Sequence, residues 1–478
     1  MNPIKKLKSM PLMLKATIAF AISNFATSGI NYITTPIFTA LLSTAEYGTV
    51  AVYNSWFDII KVFASMTLIY PGVLNVGLYD HRDNRWKYLS SMLGITTCCT
   101  LILGGLYAIF FSAANSAIGL PPTLIILMLI TSVFTPATIF WTFKQRYEYA
   151  YKMAFIVSVG SAVFAQIASV IAVVTAKNQG LGNLAEVRLW SAGIFNISVA
   201  IVLFVYICIK GKCFLDFSIW KPTFLVALPL IPHYLGSVVL SSTDKIMIER
   251  MISLEKAGIY SLAAILSAIG VLLWRALSVT FTPFVNAKLG ERDFKSIRSA
   301  VRPLLIMVGL ACVIASLAAP EIIKILASDS YLEGIYVVPP IAAGIFIHAL
   351  YDNFSAVSFF HKKSVRIMIA TLTAAVINIV LNYVFIKNFG FIAAGYTTLI
   401  SNIVLSGMHY YNTRKIEKEK VFDFKFSLIS TALVIAGCLA CNLIYEISIV
   451  RYILILVVLT VMLLKSKSVI KAIVDMKI

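Results

Sequence analysis

Two cations stand where hydrocarbon is expected. Arg275 lies inside an apolar run over 257–286, and Lys61 inside another over 48–75. Lys61 is 15 residues from Glu46, which at about 1.5 Å per residue places it roughly 22 Å from one end of its segment. Arg275 is 13 residues from Lys288, roughly 20 Å from the end of its own. A charge at such depth costs several kcal/mol unless it faces a cavity, a partner or a ligand. Guanidinium presents a fixed fork of donors that matches phosphate oxygens, and ammonium adds a point charge. Together they point to an anionic ligand, and a diphosphate fits best.

Other ionisable groups share these segments. Asp58 is three residues before Lys61, on the same helical face, and can pair with it. No acid lies within one turn of Arg275, so its partner must be another helix, water or a ligand. Asp352, with His348 one turn earlier, is well inside a further run over 335–360 and is a candidate for proton coupling, or else for an interhelical hydrogen bond. Asp244, Lys245, Glu249 and Arg250 crowd the end of the run 222–248; there Lys245 and Glu249 have i,i+4 spacing, and a solvated cap explains the four as well as a coupling role. His233, between Pro232 and Tyr234, is a candidate for gating. No grouping suggests a metal site, and Cys438 and Cys441, a CxxC without a second pair, read as packing.

The elements that carry these residues follow from composition. Sixty per cent of the 478 residues are hydrophobic and 13% are charged, against about 45–50% and about 25% in soluble domains. This is the composition of an integral membrane protein. Fourteen apolar segments approach or exceed the roughly 17–25 residues a helical span needs. Without strict alternation they cannot be barrel strands. Prolines at 36, 136, 229, 232 and 283 fall inside them as sites for kinks.

A net charge of +19 would prompt a search for nucleic acid in a soluble chain, but here it reports topology. The N-terminus carries four Lys, the connections after even-numbered spans carry 3, 3, 3, 5, 3 and 5 Lys or Arg, and the C-terminus four; that is 30 of the 40. By the positive-inside rule both termini are cytoplasmic. The run over 16–42 is too long for a cleaved signal core of about 7–15 residues and is expected to remain as the first span.

An offset of 210 residues relates the two halves. Ser43–Gly48 overlays Ser253–Gly258, Arg82-Asp83 falls on Arg292-Asp293, and Asn178-Gln179-Gly180 on Asn388-Phe389-Gly390. The expected fold is an all-α integral membrane protein of fourteen helices. Two six-helix lobes, 1–212 and 213–420, are related by a pseudo-twofold repeat, and 421–478 adds two C-terminal spans. Two even-numbered repeats share one orientation, as in a two-lobed transporter. There is no GxxxxGK[ST], so ATP hydrolysis by this chain is not expected, and Gly180–Ala185 matches GxGxxA only as a loop after a span. No enzyme activity and no bound cofactor are expected.

The stretch Phe38-Thr39-Ala40-Leu41-Leu42-Ser43-Thr44-Ala45-Glu46-Tyr47-Gly48, with Asp244-Lys245-Ile246-Met247-Ile248 and Ala257-Gly258-Ile259-Tyr260-Ser261, resembles the Wzx-type polysaccharide flippases of the multidrug, oligosaccharidyl-lipid and polysaccharide exporter group. The resemblance covers spans 1 to 12. It implies transfer of an undecaprenyl-pyrophosphate-linked oligosaccharide, such as an O-antigen unit for lipopolysaccharide, from the cytoplasmic to the periplasmic leaflet of a bacterial inner membrane. It also implies alternating access, with Arg275 and Lys61, and Asp58 beside it, holding the pyrophosphate in a central cavity. Coupling to a proton or sodium gradient is part of the group's pattern; the ion, the sugar and any contact with a polysaccharide polymerase stay open. Lipid II flippases of the group carry charges in the first span, whereas the run 16–42 here has none, which argues against that role. A drug or metabolite antiporter on the same scaffold is the alternative, and a cavity dominated by acid would favour it. A third alternative is a membrane scaffold for polysaccharide assembly with no transport of its own.

Overall fold

A computed structural model describes residues 12–476. Among these, the secondary structure is helical throughout. The helices are α1 (Leu12–Leu41), α2 (Thr44–Ala64), α3 (Pro71–Asp80), α4 (Arg85–Ile109), α5 (Phe111–Ile118), α6 (Pro122–Tyr147), α7 (Tyr151–Asn178), α8 (Leu184–Gly211), α9 (Phe217–Ala227) and α10 (Ile231–Met251). Next come α11 (Leu254–Ser267), α12 (Ile269–Gly290), α13 (Phe294–Leu317), α14 (Ala319–Leu326), α15 (Val338–Phe360), α16 (Ser364–Phe389), α17 (Ala393–Ile416), α18 (Phe424–Ala440) and α19 (Ser448–Asp475).

All fourteen expected segments fall on helix. Ten helical stretches among the described residues are long and apolar enough to cross a membrane, eleven if the bent pair Leu254–Ser267 and Gly270–Ser278 counts as one. α1, α2 and α17 fall outside that set: Asn, Ser, Thr and Tyr side chains dilute the hydropathy of α1 and α17, and Glu46, Asp58 and Lys61 load α2 with charge.

The chain packs as two compact units, Met1–Leu235 and Gly236–Ile478. In the first, Leu74, Leu89, Met92, Phe140, Trp141 and Trp220 join α3, α4, α6 and α9 in one core. In the second, Trp274, Phe284, Val308, Phe346 and Leu350 do the same for α12, α13 and α15, and Val434, Cys438 and Val469 bring α18 and α19 onto it. Cys438 and Cys441 are buried free thiols, as packing predicts.

The repeat is visible in local conformation. Ser43 and Glu46 form a capping box at the start of α2, and Ser253 caps α11 through the Lys256 amide. Gly180 and Gly390, matched by the offset, both have φ in the left-handed region, +69° and +80°, where a side chain costs most. The second span of each half is also broken: α2 gives way to α3 after Met66 and Thr67, both at positive φ, and α11 meets α12 at Ala268 with a 43° bend.

The seventh segment is interrupted as its prolines suggest. Pro136 and Pro283 lie within helices, but Pro229 sits in a 3₁₀ turn, Leu228–Leu230, and Pro232 in the first turn of α10. There the Ile231 amide bonds Leu228, leaving the Ala227 carbonyl without its usual helical donor; the Thr67 hydroxyl donates to it at 3.2 Å. Buried backbone in a membrane needs such compensation.

Close backbone approach makes one glycine indispensable. A Cβ on Gly94 of α4 would lie 1.9 Å from the Phe214 carbonyl oxygen, beside Trp220, whose indole donates to Ser91. Gly94→Ala is therefore expected to lower stability by about 1–3 kcal/mol, the usual range for overpacking. Gly104→Ala on the same helix, where nothing lies within 4 Å, serves as the control; thermal unfolding in detergent that moved equally for both would overturn the expectation.

Candidate functional site

In the first unit, Lys61 lies in the last turn of α2 and pairs with Asp58, Nζ to Oδ1 2.7 Å, as the spacing predicts. Both side chains stay partly accessible, and the ammonium also sits 5.6 Å from the Phe57 ring centroid. Lys61 borders a small pocket with Ser65, Ser132, Thr135 and Pro136, immediately before the break after α2. His233 is buried and packs obliquely on Tyr234, whose ring stacks on Tyr70 at 3.8 Å between centroids. This stack ties α10 to the break that follows Lys61.

In the second unit, Arg275 is on α12, just beyond the break at Ala268, and is exposed. It makes no ion pair among the described residues, in keeping with the lack of a nearby acid in sequence. Its neighbour Trp274 is buried and donates its indole N–H to Asp352 Oδ2 at 2.7 Å. Asp352 on α15 thus holds the turn of α12 that presents Arg275. His348 does not share in that bond; it is exposed and stacks on Tyr351, ring centroids 5.0 Å apart.

Asp244 departs from the solvated cap expected of it. It is 4% exposed and accepts three hydrogen bonds: from Tyr260 of α11 at 2.6 Å, Asn382 of α16 at 2.7 Å and Thr398 of α17 at 2.7 Å. Asn378 reaches Thr398 and also accepts from Asn382, and Thr397 donates to the Asn382 carbonyl oxygen. The expected Lys245–Glu249 pair is likewise replaced, because Glu249 pairs with Arg250 at 3.2 Å. Bonds among four helices outweigh local spacing here. A cavity of about 470 Å³ within this unit exposes Asp244, Lys245, Tyr260, His348 and Thr398. Val271, one turn before Arg275, lines it too.

The three donors to Asp244 are neutral amide and hydroxyl groups, and Lys245 lines the same cavity. Among the described residues no group of three or more His, Cys, Asp or Glu could hold a metal. Tyr260, Trp274, Asn378, Asn382 and Thr398 were not singled out by a search for charges. A signal for two of them existed: Asn378 and Asn382 are four residues apart on one face of an apolar helix, where amides need partners.

Residues 13–285 match the family described as polysaccharide biosynthesis protein, which is more than half of the chain, and the chain belongs to that family. Residues 229–384 match MatE. No curated protein matches the sequence. Solved structures with a similar fold include the lipid II flippase MurJ in an inward closed conformation, 16% identical, with 94% of this chain and 98% of that one covered and a TM-score of 0.65. They also include an inward-facing multidrug resistance MATE transporter of the MOP superfamily, 15% identical, covering 86% and 98% with a TM-score of 0.58. A MOP superfamily transporter from Pyrococcus furiosus Vc1, described as having a binding pocket of reversed polarity, is 16% identical over 86% and 97%, with a TM-score of 0.56. At these identities the likeness defines the fold: a multi-pass membrane protein with the MOP transporter architecture.

Proposed function

We propose that this protein flips an undecaprenyl-pyrophosphate-linked oligosaccharide, an O-antigen or similar surface polysaccharide unit, from the cytoplasmic to the periplasmic leaflet of a bacterial inner membrane. The observation that carries the reading is Arg275, exposed on a membrane-crossing element and unpaired with any acid among the described residues. A cation left so would be costly, and a phosphate oxygen pair is the ligand its donors match. Membership in the polysaccharide biosynthesis family supports a substrate from that chemistry. Lys61 of the first unit, paired with Asp58, is a further candidate cation for the substrate. Asp244 supplies the site at which a proton or sodium ion drives the cycle, and Trp274 with Asp352 orients Arg275. Both termini are cytoplasmic in this reading.

An ion-coupled antiporter is the competing reading, favoured by the MatE match over the segment that contains Asp244. Reconstitution separates the two. The purified protein in liposomes should move undecaprenyl-pyrophosphate oligosaccharide between leaflets, read by protection of the sugar from an external modifying enzyme. No transfer across several repeat units and ion gradients, together with uptake of cationic drugs, would replace the flippase by the antiporter.

A further inference from the structure

A second group of cations lies on and beside α19, apart from Lys61 and Arg275. Only 6% of the apolar window of α19 is buried, the lowest share among the ten spans. Its 28 residues cover roughly 42 Å, more than a hydrocarbon core of about 30 Å. Lys465 and Lys471, 17 and 23 residues beyond Ser448, consequently reach one membrane boundary. There a cavity of about 640 Å³ opens between α19 and the facing ends of α12 and α13.

Four cations line this cavity: Lys288, Arg302, Lys465 and Lys471. Two are already balanced, Lys288 by Glu291 at 2.6 Å and Arg302 by Asp423. Lys465 and Lys471 are exposed and make no ion pair among the described residues. Hydroxyls of Ser299 and Ser468 join them, no carboxylate is among the lining residues, and Phe284 and Ile306 give the cavity an apolar wall. Excess positive charge, hydroxyl donors and an apolar wall on a lipid-bare helix match a phosphate attached to acyl chains, since basic pockets between membrane helices bind such headgroups.

We infer that this cavity holds the headgroup of an anionic glycerophospholipid of the surrounding leaflet, with the phosphate between Lys465 and Lys471 and an acyl chain along α19. The site does not depend on which substrate the two units transport. It gives the two helices beyond the repeat a role: the lipid seals α19 onto α12 and α13, and thereby onto the helix that carries Arg275.

The test uses the full-length protein in nanodiscs of phosphatidylcholine with a minor share of phosphatidylglycerol, and native mass spectrometry to count retained lipid. The unmodified protein should retain phosphatidylglycerol over phosphatidylcholine. Lys465→Gln with Lys471→Gln should reduce that preference about 25-fold, roughly fivefold for each surface cation, and raised salt should weaken it. Lys467→Gln, which removes one positive charge at a residue that does not line the cavity, should leave it intact. Equal loss in Lys467→Gln, or none in the double variant, would overturn the site. Displacement of the lipid by inorganic phosphate would reduce it to a free-anion site, and displacement by undecaprenyl phosphate would assign it to the transported substrate; either result overturns the phospholipid inference. If the double variant does not purify folded, Ser299→Ala with Lys471→Gln carries the same comparison.

Discussion

Arg275→Ala should lower the rate of lipid-linked oligosaccharide transfer by roughly 10- to 150-fold, the equivalent of about 1.5–3 kcal/mol for losing a hydrogen bond to a charged group. Stability should not fall, because Arg275 is exposed and its truncation breaks no ion pair among the described residues. Arg275→Lys should restore part of the rate, since ammonium keeps the charge but loses the fork. This combination separates ligand binding from packing. A buried structural arginine would unfold the protein when truncated, whereas a ligand cation slows transport in a protein that melts normally. Full transfer by Arg275→Ala in liposomes, at equal protein level, would remove the diphosphate from this position.

Asp244→Asn should abolish the response of transport to an ion gradient while leaving the fold in place. The exchange is nearly isosteric, and the amide oxygen can still accept from Tyr260, Thr398 or Asn382; what disappears is the negative charge that a cation or proton would neutralise. Asp244→Ala should be worse in a different way. It removes the acceptor of the buried Tyr260 and Asn382 and of the partly buried Thr398, at about 1–3 kcal/mol for a group left unsatisfied, and should lower the melting temperature. The measurements are transfer rate under opposed sodium and proton gradients, and the melting temperature as sodium is titrated. A ligand bound only by the folded state raises stability by RT ln(1 + [L]/Kd), so the unmodified protein should gain stability with the coupling cation and Asp244→Asn should not. If Asp244→Asn kept the full gradient response, coupling would lie elsewhere. A parent protein indifferent to both ions would remove coupling altogether.

The two largest effects fall on residues of unequal visibility. Arg275 and Lys61 could be found by reading, because a charge within an apolar run contradicts its surroundings. Asp58 could be paired with Lys61 because a helix makes residues three apart neighbours. Asp244 is visible as a charge at a segment end, where a solvated cap and a coupling role are equally open; its burial comes with Tyr260 of α11, Asn382 of α16 and Thr398 of α17, 16, 138 and 154 residues away. Trp274 gave no signal at all, since an indole in an apolar span reads as core until the carboxylate 78 residues away is seen to accept its proton.

Composition, length and the positions of charge determined the class of this protein. Hydrophobic runs of span length must become helices, because hydrocarbon offers no partner for an unpaired amide, and the 210-residue offset reports a repeat whose capping serines and left-handed glycines recur in the structure. These are local constraints, each met within one element or its turn. Where Asp244 finds three donors, why Trp274 turns toward Asp352, and how α19 meets α12 and α13 around four cations were decided by tertiary packing alone. Those contacts join residues tens to nearly two hundred positions apart, and helical periodicity gives the face of each helix but not the neighbour that covers it.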